Sequence, residues 1–157
     1  KGHRNPQGLL VINNKILSTE HGPRGGDEIN LIKYKKNYGW PLSSYGKKYN
    51  GDESYNLSHA DFNFEEPIYA FVPSIGISEI IKIPENKFAD WSNNYLVSSL
   101  YRGSIYRIKF NKNFNKIIFM EEIFIGKRIR DLKFVDDKII LALENYGEIG
   151  FLEVNDR

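Results

Sequence analysis

Leu9-Leu10-Val11-Ile12-Asn13-Asn14-Lys15-Ile16-Leu17-Ser18 reads as a β-hairpin. Two apolar runs are separated by paired asparagines, which tolerate the positive φ of a tight turn. The polar stretch Glu20-His21-Gly22-Pro23-Arg24-Gly25-Gly26-Asp27-Glu28 follows, and Ile29-Asn30-Leu31-Ile32 resumes the strand pattern. Strand, short turn, strand, glycine-containing loop, strand makes a unit over residues 9–32. It returns over 80–110 and 132–154.

Further apolar runs at 28–33, 78–83, 95–100, 104–110, 116–125, 130–135, 138–143 and 148–154 read as strands, with Asp136-Asp137 a turn. Ten tyrosines and ten phenylalanines favour strands over helices. Only 84–91 hints at a helix or turn, and no stretch sustains a 3.6-residue apolar period. The chain is therefore expected to be all-β. Residues 37–73 are turn-rich and aromatic, reading as a long excursion over the surface or over a site. A meander recurring every roughly 40–50 residues is the signature of propeller blades. Blades of four antiparallel strands, about three of them, fit this length. A β-sandwich of similar strand count is the structural alternative. Three blades cannot close a ring, and open blade edges invite pairing. So the expected domain, a partial β-propeller over residues 1–157, belongs within a longer protein or completes itself with a second copy as a homodimer. The start at Lys1 agrees with a piece of a longer chain.

Composition excludes several functions. Hydrophobic content of 41% with 27% charged residues describes a folded domain rather than a disordered one. The 22 basic and 20 acidic residues are interspersed, so no field for nucleic acid or an acidic membrane arises. No apolar run approaches a membrane span, and no signal peptide is recognisable. Without cysteine there is no disulfide, thiolate zinc site or cysteine nucleophile. Ser74 and Ser78 have no histidine nearby in sequence, and no phosphate-binding glycine loop precedes a helix. The triplet Asn56-Leu57-Ser58 is too common to carry an argument for glycosylation. His59, beside Asp61, reads as a surface loop group.

The loop at 20–28 concentrates what chemistry there is. Gly22, Gly25 and Gly26 let carbonyls and amides turn towards a ligand, and the acids at its exit offer oxygens to a hard cation. The same residues would equally make a surface connection. Arg128 and Arg130, two apart, share one face of a strand. Like charges so placed repel unless an anion lies between them or both are solvated beside Asp131.

Five blocks carry a resemblance: Gly2-His3-Arg4-Asn5-Pro6-Gln7-Gly8, the stretch from Glu20 through Ile32, Asn37-Tyr38-Gly39-Trp40-Pro41, Ser99-Leu100-Tyr101-Arg102-Gly103 and Arg128-Ile129-Arg130-Asp131. In this order they resemble the soluble aldose sugar dehydrogenases that use pyrroloquinoline quinone (PQQ), the glucose/sorbosone dehydrogenase family. That resemblance implies a six-bladed β-propeller of which this chain is the C-terminal half. It implies oxidation of aldose sugars at the anomeric carbon, with PQQ and Ca2+ as cofactors, in the periplasm or outside the cell.

Carried over residue by residue, Arg4 and Asn5 reach the quinone, and a guanidinium fork with an amide suits its oxygens. His21 stands near the cofactor, and Tyr49 offers a ring to stack on it. The carbonyls of Gly22 and Pro23 correspond to ligands of the calcium ion beside the quinone. Glu28 and the carbonyl of Tyr38 resemble a second, structural calcium site, with Asp27 orienting the loop. The Arg128/Arg130 pair matches the carboxylates of the cofactor. The family's catalytic histidine lies in the N-terminal half; His3, His21 and His59 do not match its motif, so this chain alone is expected to be inactive. Tyr101 stands where some relatives carry a cofactor-pairing lysine. That departure leaves open a reading from another class, a propeller of the same family that binds partners without redox chemistry.

Overall fold

Asn13 and Asn14 adopt φ of 48° and 58°, turning β1 (Pro6–Ile12) back onto β2 (Lys15–Glu20). Asp136 and Asp137, at 48° and 59°, do the same between β9 (Ile129–Val135) and β10 (Lys138–Leu143). The computed structural model describes residues 1–51, 53–55, 57–85, 88–145 and 147–154, so Asn56 of the glycosylation triplet lies outside the described residues. The other strands are β3 (Asp27–Ile32), β4 (Tyr69–Phe71), β5 (Ile77–Lys82), β6 (Tyr95–Ser99), β7 (Ser104–Phe110), β8 (Ile117–Phe124) and β11 (Glu148–Leu152). Among the described residues the only helical pieces are single 3-10 turns at Ala60–Phe62 and Ala89–Trp91.

The strands form three antiparallel sheets in the orders β1-β2-β3-β4, β5-β6-β7-β8 and β9-β10-β11. Contacts between sheets run from β1 and β2 to β5, and from β5 and β6 to β9. The sheets therefore meet along their inner strands. These are about three blades of a β-propeller, as the repeating pattern predicts. Two differences stand out. The excursion over 37–73 ends in β4, a three-residue strand that completes the first blade and that no periodicity could reveal. The third blade has three strands among the described residues, not four.

The middle blade is buried on both faces, which explains its nearly continuous apolar runs. Successive side chains point to opposite faces. Ile80, Tyr95, Val97, Tyr106 and Ile108 pack towards the first blade, against Leu17, Ile29 and Phe71. Their neighbours Ile81, Leu96 and Ile105 pack towards the third, against Ile129, Leu132, Ile139 and Leu141. The outward faces of the two end blades are apolar but open: Leu9 and Val11 are 67% and 68% exposed on one side, Ile149 and Phe151 58% and 56% on the other. Among the described residues no helix is long and apolar enough to cross a membrane.

Candidate functional site

The loop between β2 and β3 is held by Asp27. This buried carboxylate accepts the Gly22 N–H at 3.1 Å and the Ser74 hydroxyl at 2.7 Å on one oxygen. Its other oxygen accepts the N–H groups of Ile75 at 3.1 Å and Ile77 at 2.9 Å. One side chain thus fastens the loop to the segment that enters the second blade. Gly22 is required by space: a Cβ there would stand 2.0 Å from the Gly25 carbonyl oxygen and 2.4 Å from that of Gly26. The excursion lies across the loop, with paired backbone hydrogen bonds between Arg24 and Lys47.

Beside the loop opens a cleft of about 1230 Å3 whose walls include Arg4, Asn5, His21, Gly22, Pro23 and Tyr49. The structure thus brings all six of these expected site residues together. Arg4 spans the wall: its guanidinium donates to the His21 carbonyl at 3.1 Å and to the Tyr49 hydroxyl at 2.7 Å. It also lies over the rings of Trp40 and Tyr49, at 5.4 and 5.7 Å. The Tyr49 hydroxyl in turn donates to the Pro23 carbonyl at 3.4 Å. His21 Nε2 donates to the Ile77 carbonyl at 2.5 Å, which puts its proton on that nitrogen. Tyr101, 74% exposed, lines the same cleft.

Glu28 and Tyr38 stand one layer deeper. They line a void of about 10 Å3 together with Arg4, Glu20, His21, Gly22 and Ser43. That is room for a single water-sized atom. Glu20 and Glu28 face each other as register partners on β2 and β3, and the Asn30 amide nitrogen donates to both, at 2.9 and 3.1 Å. Burial, reinforced by the neighbouring Glu20 charge, pushes the Glu28 carboxyl up to about 8. Burial would raise Glu20 as well, but hydrogen bonds from His3 and Glu28 and the N–H of Arg4 outweigh it and hold Glu20 low. Without a cation, the proton of the pair resides on Glu28.

His59 corrects its reading as a surface group. It is 3% exposed, stacked on Tyr45 at 5.3 Å, with Nε2 donating to the Tyr38 carbonyl at 3.2 Å and Nδ1 accepting from the Ser43 hydroxyl at 2.9 Å. Folding of the excursion buries it, and a lone histidine beside an aspartate carries no sign of that. His3 also belongs to this inner layer: Nδ1 is 3.3 Å from Glu20, and the ring stacks on Tyr38 at 4.2 Å.

Arg128 and Arg130 line neither of these cavities. Both turn to one carboxylate, Glu144, at 2.8 and 2.9 Å. The anion that two neighbouring arginines require is thus present within the chain itself. Arg102 pairs with Glu122 at 3.5 Å. Among the described residues no group of three or more histidine or acidic side chains forms a ready metal site.

The Glucose / Sorbosone dehydrogenase family model matches residues 1–151. The chain is 31% identical over 164 aligned positions to the aldose sugar dehydrogenase YliI of Escherichia coli, covering 99% of this chain and 43% of that protein. It is 33% identical over 115 positions to quinoprotein glucose dehydrogenase B of Acinetobacter calcoaceticus, covering 73% and 23%. A solved glucose dehydrogenase superposes with a TM-score of 0.84 at 30% identity, over 99% of this chain and 46% of that one. The chain thus spans less than half the length of these relatives. A match over nearly every described strand, with the same blade architecture, establishes that this chain belongs to the glucose/sorbosone dehydrogenase family.

Proposed function

We propose that this chain is the C-terminal half of a PQQ-dependent aldose sugar dehydrogenase and supplies one wall of its cofactor pocket. The observation that carries this reading is the convergence of Arg4, Asn5, His21, Gly22, Pro23 and Tyr49 on one cleft beside a loop fastened by Asp27. Arg4 offers fixed N–H donors to quinone or carboxylate oxygens. The Tyr49 ring offers a flat apolar surface to an aromatic cofactor. PQQ, when bound, would supply a two-electron acceptor for the anomeric C–H of an aldose, the sugar becoming a lactone.

Calcium fits the residues present. Carbonyls of Gly22 and Pro23 at the cleft and the carboxylate of Glu28 with the carbonyl of Tyr38 at the void are hard oxygen donors. The void of about 10 Å3 that Glu28 and Tyr38 share leaves room for one small ion between them. Arg128 and Arg130 would meet a cofactor carboxylate in exchange for Glu144. The missing catalytic histidine belongs to the absent half of the ring, or the two open blade faces are closed by a second copy. A periplasmic or secreted location is part of the same reading.

Mixing the chain with calcium, PQQ, glucose and an artificial electron acceptor should give a calcium-dependent change in the quinone spectrum and no turnover. Turnover at an enzyme-like rate would refute the division of labour. A full-length protein that shows no PQQ binding would instead favour the second reading, a partner-binding propeller. Tyr101, in place of a lysine at the cleft, speaks for that reading.

A further inference from the structure

We infer that Glu20 is a second carboxylate ligand of the buried cation site and faces the same ion as Glu28. The inference rests on the calcium reading above and extends it to a residue that reading leaves out. Glu20 and Glu28 are direct register partners on adjacent antiparallel strands, 4% and 6% exposed. Like charges directly opposite in a ladder repel, and burial removes the water that would screen them. Besides His3, whose Nδ1 stands 3.3 Å from Glu20, the partners at hand are neutral and would not balance two ionised carboxylates. Asn30 gives one amide nitrogen to both carboxylates. Arg4 gives Glu20 only its backbone N–H, at 3.0 Å, while its guanidinium is turned to His21 and Tyr49 in the cleft.

The geometry leaves room for what is missing. The void of about 10 Å3 touches Glu20, Glu28, Tyr38 and Ser43 together. Two carboxylates with carbonyl and hydroxyl oxygens make a dinegative, all-oxygen set, the chemistry of a hard divalent cation. Glu20 also joins the ion to the cleft, because the carboxylate that would bind it holds the backbone of Arg4.

The test compares the wild-type chain with Glu20→Gln and Glu28→Gln by calorimetric titration with calcium chloride and by thermal melting in chelator. Each substitution should weaken calcium binding by more than about tenfold. The metal-free Glu20→Gln chain should still fold, its one amide oxygen keeping either the Arg4 N–H or the Asn30 amide as donor. Calcium binding within twofold of wild type in Glu20→Gln, with Glu28→Gln impaired, overturns the role of Glu20 and leaves the calcium site intact. No calcium binding by wild type overturns both. A Glu20→Gln chain that melts lower in chelator yet binds calcium as wild type does assigns Glu20 to folding alone. If that variant fails to fold, Glu20→Asp, which keeps the charge but withdraws the oxygens by one methylene, should still show the loss of affinity. Wild-type affinity there also overturns the assignment.

Discussion

Asp27, the first residue of β3, accepts the backbone N–H of Ile77, the first residue of β5, at 2.9 Å. The candidate loop and the junction of two blades are thus held by one carboxylate. Asp27→Ala would strand the buried N–H groups of Ile75 and Ile77 and free that of Gly22. Unsatisfied buried donors cost about 1–3 kcal/mol each, so a loss of about 3 kcal/mol or more is expected. Urea unfolding measures it; a loss below about 1 kcal/mol would show that the loop and blades hold without this anchor.

Glu28 makes the metal-free chain sensitive to alkali. Its folded value of about 8 lies above the unfolded 4.5, so the folded chain binds the proton more tightly. The associated stability is full below 4.5 and is lost as pH rises to about 8. The slope is at most about 1.4 kcal/mol per pH unit. Burial is the main cause of the rise, the Asn30 hydrogen bond opposes it, and Glu20 on β2 and the Glu66 charge add to it. The depressed carboxyls of Glu20, Glu65, Glu122 and Glu144 act in the other window, losing their contribution as pH falls below 4.5. Unfolding in chelator between pH 5 and 8 should therefore show a decline that Glu28→Gln removes. An unchanged slope in that variant would assign the decline elsewhere.

Glu144 bridges two arginines at the surface, where ion pairs contribute little to folding. Glu144→Gln should leave the melting temperature unchanged and free both guanidinium groups. Its affinity for a small polycarboxylate such as citrate should rise, and the rise should vanish when Arg130→Ala is added. Equal citrate affinity in the wild type and in Glu144→Gln would remove Arg128 and Arg130 as an anion site.

Inner and outer apolar faces should respond oppositely to truncation. Ile80→Ala, at a fully buried contact between the first two blades, should cost about 2–5 kcal/mol. Leu9→Ser with Phe151→Ser, on the open faces, should cost little and should abolish self-association. Light scattering at micromolar concentration reads this directly, and a monomeric wild type would rule out the closed pair of copies.

Much of this was legible residue by residue. Asn13-Asn14 and Asp136-Asp137 announced their turns because short polar side chains tolerate positive φ. The apolar runs at 78–83, 95–100 and 104–110 announced strands. β4 was hidden because three residues carry no period, and its pairing is dictated by the free edge of β3. The opposition of Glu20 and Glu28 was available in principle, since acids at the two ends of one loop between antiparallel strands come to face each other. The burial of His59 was not, because it depends on how the excursion folds over Tyr38 and Ser43.

The amino-acid sequence alone determined the all-β class, the turns, the blade unit and the blocks that carry the family resemblance. These are local matters, governed by side-chain period and by backbone freedom at glycine and asparagine. Only the tertiary structure decided that the six cleft residues converge, that Arg128 and Arg130 share Glu144, and that His59 is buried against Tyr38 and Ser43. Those relations depend on distances across strands and blades, set by register and packing, which no local pattern encodes.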